Sequence, residues 1–350
     1  MRSTMMNMAL LGMGGSALVA AAAALPVNAT RSSTCPSQLG PGLHTIRMDV
    51  PDAVDPEFVW SRAFDVYVPA EMDPNVESPT MLMWHGCGSD PEKFQEESEM
   101  NQRVGRFGYY AVWPRGTSST LEPSEQHTCI SAGGTRCGWN SGFPNPGGCQ
   151  TPSDPRPDDV DFAERILAWM EGTLCVDMER VYIAGFSNGG SMTYKLNCML
   201  SQRFAGMMTL GSAVGGGTTP GGETCNPEKQ LPAINVCGST DGCCGGAECP
   251  RVLEQVELFS SALGCTGPPE RSELSSTSYC WAATGCPDGL PVTGCGISNL
   301  GHCWPNYPGA GDPPCQNQNP ANFDASVYVL DYFTNLDSFT PPPAEKQQEL

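Results

Sequence analysis

Residues 181–199 read VYIAGFSNGGSMTYKLNCM, and this stretch restricts the fold more than any other part of the chain. VYIAG is a short, unbroken apolar run, as expected of a strand buried on both faces. Asn188 to Met199 reads as a helix. Between them stands Ser187, in Gly185-Phe186-Ser187-Asn188-Gly189. A strand that reverses into a helix around one residue leaves no room for a Cβ at the flanking positions, and glycine occupies both. The turn lifts the serine hydroxyl above the strand's C-terminal end, where the helix N-terminus favours developing negative charge.

The rest of the chain repeats the strand–helix alternation. Leu43 to Val50 and Phe58 to Pro69 read as strands, the second with Phe64, Val66 and Val68 alternating with Asp65 and Tyr67. TMLMWHG at 80–86 and YYAVWP at 109–114 are buried-strand runs, separated by a charged, helix-like stretch over 92–106. Asp158 to Glu171 is amphipathic, with Val160, Phe162, Ala163, Ile166, Leu167 and Met170 on its apolar side. A strand within Phe204–Val214, a strand at Leu231–Gly238, a helix over 249–264 and a closing helix at Ala321–Leu336 complete the series. Such alternation implies an α/β fold with a mainly parallel sheet covered by helices on both faces. Residues 116–157 lack periodicity and are rich in Gly, Pro, Ser and Asn, a loop long enough to carry function. The stretch from Val214 to Leu231 is short and glycine-rich, so no large cap domain is expected and the cleft is read as open. No repeat or linker divides the chain.

The ends and the cysteines point to export. Arg2, an apolar run from Met8 to Leu25 and the small-residue site Val27-Asn28-Ala29 read as a signal peptide over 1–29. One domain is expected over 30–340, followed by a disordered tail at 341–350. All 18 Cys follow the cleavage point, none pair at C-x-x-C spacing, and the chain has only 4 His. Disulfides of a secreted protein are expected, with no metal site. The net charge of −20 repels nucleic acid and other polyanions, so no nucleic-acid partner is expected. No second apolar run is long enough to span a bilayer, so no stable membrane association is expected after signal cleavage. A monomer is expected.

A serine hydroxyl is a poor nucleophile at neutral pH and needs a base. In a strand–turn–helix nucleophile fold the base follows the serine in sequence. Of His44, His85, His127 and His302 only His302 does so, in a glycine-flanked loop before the closing helix. The acid that orients it must lie between the two. Asp241 follows the buried strand INVCG by three residues, whereas Asp288 sits in a Cys/Pro/Gly turn with no strand before it, which favours Asp241. An oxyanion hole needs two backbone N–H groups. Asn188, after the nucleophile, supplies one, and Cys87, in His85-Gly86-Cys87-Gly88, is assigned the other. His85 is then structural. No cofactor is required. Trp139, in the long loop, reads equally as a subsite residue and as a packing residue.

In this order the motifs HGCG, YYAVWPRG, CGWN, DDVDFAERIL, VYIAGFSNGGSMTYKL, GSTD and GHCWPNYPG resemble the secreted esterase family of polyhydroxybutyrate depolymerases, feruloyl esterases and acetylxylan esterases. The resemblance covers about residues 60 to 336. It implies an α/β-hydrolase fold, the triad Ser187, Asp241 and His302, an oxyanion hole at Cys87 and Asn188, and Trp304 beside the substrate. It further implies hydrolysis of a polymer-linked carboxylic ester outside the cell, feruloyl or acetyl esters of plant polysaccharide first, a polyester second. A hydrolase-like protein that only binds is the reading from another class. The sequence departs from the family around the acid. Cys237 stands where histidine is frequent, and Gly242-Cys243-Cys244-Gly245-Gly246 replaces an apolar or Pro-bearing stretch.

Overall fold

The apolar runs each become a strand with little left open to water, because their backbone groups pair on both sides and both faces are covered. The computed structural model describes Cys35 and residues 39–336, apart from 53, 119–121, 131–136, 143–156, 213–224, 244, 247–248, 277, 288–289 and 306–322. The expected signal peptide, the expected tail, Asp288 and most of the segment read as an uncapped cleft edge lie outside the described residues.

In chain order the elements are β1 (Gly42–Pro51), β2 (Val59–Val68), β3 (Ser78–Trp84), α1 (Pro91–Ser98), α2 (Met100–Phe107), β4 (Tyr110–Pro114), α3 (Asp159–Thr173), β5 (Val176–Phe186) and α4 (Asn188–Leu200). They continue with β6 (Gly206–Leu210), β7 (Ala233–Gly238), α5 (Pro250–Leu263), β8 (Gly267–Glu273), β9 (Tyr279–Thr284), β10 (Val292–Ile297) and α6 (Ala325–Thr334). All ten strands form one sheet in the order β1-β2-β4-β3-β5-β6-β7-β10-β9-β8. The run from β4 to β10 is parallel, and an antiparallel pair extends it at each edge.

The period of two along each central strand sorts its side chains between two apolar layers. Met81, Met83, Tyr182 and Ala184 face a layer built with Phe94 of α1, Met100 and Val104 of α2, and Tyr328 and Leu330 of α6. Leu82, Trp84, Val181 and Ile183 face the other, with Phe162, Ile166 and Met170 of α3 and Met192 and Leu196 of α4. Asp158 and Asp324 cap α3 and α6, their carboxylates accepting first-turn N–H groups that have no intrahelical partner.

Two local readings are corrected. The helix expected over 92–106 is two helices broken at Glu99, which takes φ 50°. Ser98 Oγ donates to Phe94 O and accepts from Met100 N, drawing off the backbone groups that a continuous helix would pair. The sheet also continues through β8, β9 and β10, over 267–297, where no strand was read.

Among the described residues six disulfides join Cys35 to Cys175, Cys129 to Cys137, Cys198 to Cys225, Cys237 to Cys243, Cys265 to Cys286 and Cys280 to Cys295. Cys87, Cys249 and Cys303 are bridged as well. Such a framework belongs to an oxidising compartment. No helix among the described residues is long and apolar enough to cross a membrane.

Candidate active site

Ser187 occupies the turn between β5 and α4 at φ 56° and ψ −119°, a conformation few residues with a Cβ adopt. The flanking glycines are compulsory. A Cβ on Gly185 would lie 2.2 Å from Gly189 O, and one on Gly189 would lie 1.9 Å from Trp84 O. The strained turn is held by its neighbours: Ser187 N donates to Leu210 O at 2.8 Å, and Ser212 Oγ donates to Ser187 O.

Loops from two other strands converge on the hydroxyl. His302 Nε2 lies 2.8 Å from Ser187 Oγ, and His302 Nδ1 lies 2.7 Å from Asp241 Oδ2. The His302 side chain is 48% exposed and the Asp241 side chain 8%, so the imidazole is open to solvent while the carboxylate behind it is shielded. Asp241 Oδ1 also accepts from Cys243 N at 3.2 Å. The acid's turn is stitched to the histidine's loop. Ser239 N donates to Ile297 O, Thr240 N and Thr240 Oγ1 both donate to Leu300 O, and Ser239 Oγ accepts from Asn299 N. The loops approach so closely that a Cβ on Gly238 would lie 2.2 Å from Leu300 O.

The turn after β3 lies against the serine: a Cβ on Gly86 would sit 3.3 Å from Ser187 Cβ. Cys87 follows in that turn, and Asn188 opens α4, where backbone N–H groups lack intrahelical acceptors. The Asn188 side chain has a separate task that the sequence did not signal. Its Oδ1 accepts from Trp139 N at 2.8 Å, and its Nδ2 donates to Trp139 O and Ser141 Oγ. Gly88 N donates to Cys137 O, so the same segment also holds the turn after β3. Below it, Asp159 Oδ2 accepts from Asn140 N while Oδ1 pairs with the buried Arg62 at 2.8 Å.

His85 is structural, as expected. It is fully buried; Nε2 accepts from Gly116 N at 3.0 Å, which leaves Nδ1–H to donate to Gly86 O at 2.8 Å. Burial pushes its pKa down to about 4, so the ring is neutral at pH 7.

Trp139, read equally as a subsite or a packing residue, and Trp304, which the resemblance places beside the substrate, are both buried. Trp139 is 1% exposed, packs on Trp84 and donates its Nε1–H to His85 O. Trp304 is 2% exposed, packs edge-on to Phe94 and donates to Ser326 Oγ. Each ring finds a buried hydrogen-bond partner and apolar neighbours, and so serves the walls under the site.

The motif resemblance is borne out by relatives of known description. The chain is 24% identical over 246 residues to a bifunctional acetylxylan esterase/xylanase of Neocallimastix patriciarum, covering 69% of this chain and 31% of that protein. It is 28% identical over 153 residues to feruloyl esterase D of Neurospora crassa, covering 44% of this chain and 46% of the relative. The chain thus spans a third to a half of the length of these relatives. No model of a known protein family matches it. Among solved structures, an acetyl xylan esterase from Aspergillus awamori superposes with a TM-score of 0.51 at 12% identity, over 75% of this chain and 94% of that one. The chain has the α/β-hydrolase fold.

Proposed function

We propose that this protein is a secreted serine esterase that hydrolyses feruloyl or acetyl esters of plant polysaccharide. One observation carries the reading: a serine on a strained strand–helix turn, an imidazole at 2.8 Å and a shielded carboxylate at 2.7 Å stand in the order that proton transfer requires. Ser187 attacks the ester carbonyl while His302 takes its proton. Asp241 holds the imidazole with Nε2 toward the serine and stabilises the imidazolium. The N–H groups of Cys87 and Asn188 receive the oxyanion. His302 then protonates the leaving alkoxide and activates the water that frees the acid from Ser187. The descriptions of the relatives support the ester class, and the disulfides support an extracellular setting.

Two measurements test this. A serine-directed phosphonate is expected to label Ser187 stoichiometrically; an unlabelled, folded protein would instead be a binding module. Methyl ferulate, acetylated xylan and polyhydroxybutyrate assayed side by side then rank the acyl groups, and turnover of the polyester alone would reject the polysaccharide assignment.

A further inference from the structure

The acid's turn is closed into a small ring. Cys237, fully buried in β7, is bridged to Cys243, with only residues 238–242 between them, and Asp241 lies inside that ring. Cys243 contributes twice: its sulfur closes the ring and its backbone N–H donates to Asp241 Oδ1. The other carboxylate oxygen faces His302. A carboxylate gripped at one oxygen by an amide that a covalent bond anchors to β7 has little freedom to turn the other away from the imidazole. The hydrogen bonds to the histidine's loop hold the first half of the turn, through Ser239 and Thr240. After Asp241 the backbone is glycine-rich, with Gly242 O accepting from Arg251 and Gly245 and Gly246 at φ of 77° and 123°, so the cystine is the covalent anchor of the half that bears the Cys243 amide.

We infer that the Cys237–Cys243 cystine is a positioning element for catalysis, aligning Asp241 with His302 through the amide of Cys243. This rests on the assignment of Ser187, His302 and Asp241 as the reacting groups. Cys237 and Cys243 touch no substrate; they act through Asp241.

The test uses the full chain, p-nitrophenyl acetate and a double-mutant cycle. In the Cys237→Ser/Cys243→Ser variant kcat is expected to fall by about 10- to 100-fold, the scale of a displacement of about 1 Å at a reacting group, with KM nearly unchanged. In an Asp241→Ala background the same pair of substitutions is expected to cost no more than about 2-fold, because the group they position is gone. A loss of equal size in both backgrounds would mark a merely structural cystine and overturn the inference. So would a folded double variant with the kcat of the wild type. If the serine pair does not fold, one glycine inserted between Gly242 and Cys243 retains the bridge while displacing the amide. That variant is expected to lose kcat in the same way, and full activity in it overturns the inference. Phosphonate labelling of the wild-type protein runs in parallel. Labelled wild type with fully active variants removes this inference alone, whereas unlabelled wild type removes the esterase reading and this inference with it.

Discussion

Ser187 is held in a backbone conformation that costs on the order of 1–3 kcal/mol for a residue with a Cβ, and the surrounding hydrogen bonds keep it there. Two substitutions separate the chemistry from the strain. Ser187→Ala is expected to lower kcat by about 10⁴-fold or more with the fold intact. Ser187→Gly should be equally inactive yet melt at a higher temperature than Ser187→Ala, since glycine enters this region without penalty. Equal melting temperatures would mean that the turn is not strained. His85 gives a prediction in pH. Its folded pKa of about 4 lies below the unfolded value of about 6.5, so the unfolded chain binds the extra proton between those limits. Its contribution is therefore complete above about pH 6.5 and is lost as pH falls toward 4, by about 3 kcal/mol in all. Burial raises the pKa of Asp65, Asp324 and Asp331, which acts in the opposite sense. The His85 part is thus read as the difference between wild type and His85→Gln in urea denaturation at pH 7 and pH 4.5. The gap in stability between the two proteins should narrow at the lower pH, and a constant gap would show that the ring is already charged or solvated.

At the scale of elements, the parallel core was legible because strands buried on both faces must be apolar throughout, as in TMLMWHG and VYIAG. The order of serine, acid and histidine followed from strand ends, since β5 and β7 each deliver a side chain at the C-terminal rim. The far edge was not legible. β8 reads GPPERSE, a largely solvated edge strand whose alternation is polar and broken by two prolines. β10 reads VTGCGI, in which two glycines interrupt the apolar pattern. Their reason is tertiary: α5 lies so close that a Cβ on Gly294 would meet Val256 Cγ2 at 2.6 Å and Val252 Cγ1 at 2.7 Å. Sequence periodicity carries no signal of how near a helix will pack. The same lack explains the tryptophans, whose burial depends on neighbours such as Ser326 and His85 that are distant in sequence. Gly294→Ala should therefore destabilise the protein by about 1–3 kcal/mol, the usual cost of overpacking against stiff β-branched side chains. Denaturant unfolding checks it, and an unchanged midpoint would mean that α5 can move away from the sheet freely.

For the whole molecule, the bridges divide by the length of chain they close. Cys35–Cys175 spans 140 residues and ties the segment before β1 to the start of β5, whereas Cys237–Cys243 spans 6. If a cross-link stabilises chiefly by restricting the unfolded chain, the long closure is worth about 5 kcal/mol and the short one about 2 kcal/mol. Cys129–Cys137 lies inside the long span but closes only 8 residues, so the first figure stays at about 5 kcal/mol. Stability and turnover should then separate. Cys35→Ala/Cys175→Ala is expected to lower the unfolding free energy by about 5 kcal/mol while kcat holds, because neither cysteine adjoins the cleft. The short ring is expected to do the reverse, costing about 2 kcal/mol of stability and most of the turnover. Urea denaturation paired with initial rates on the two double variants measures both. If removing the 6-residue ring destabilised more than removing the 140-residue closure, chain entropy would not account for most of the stabilisation, and the packing of Cys237 beneath the acid's turn would have to supply the difference.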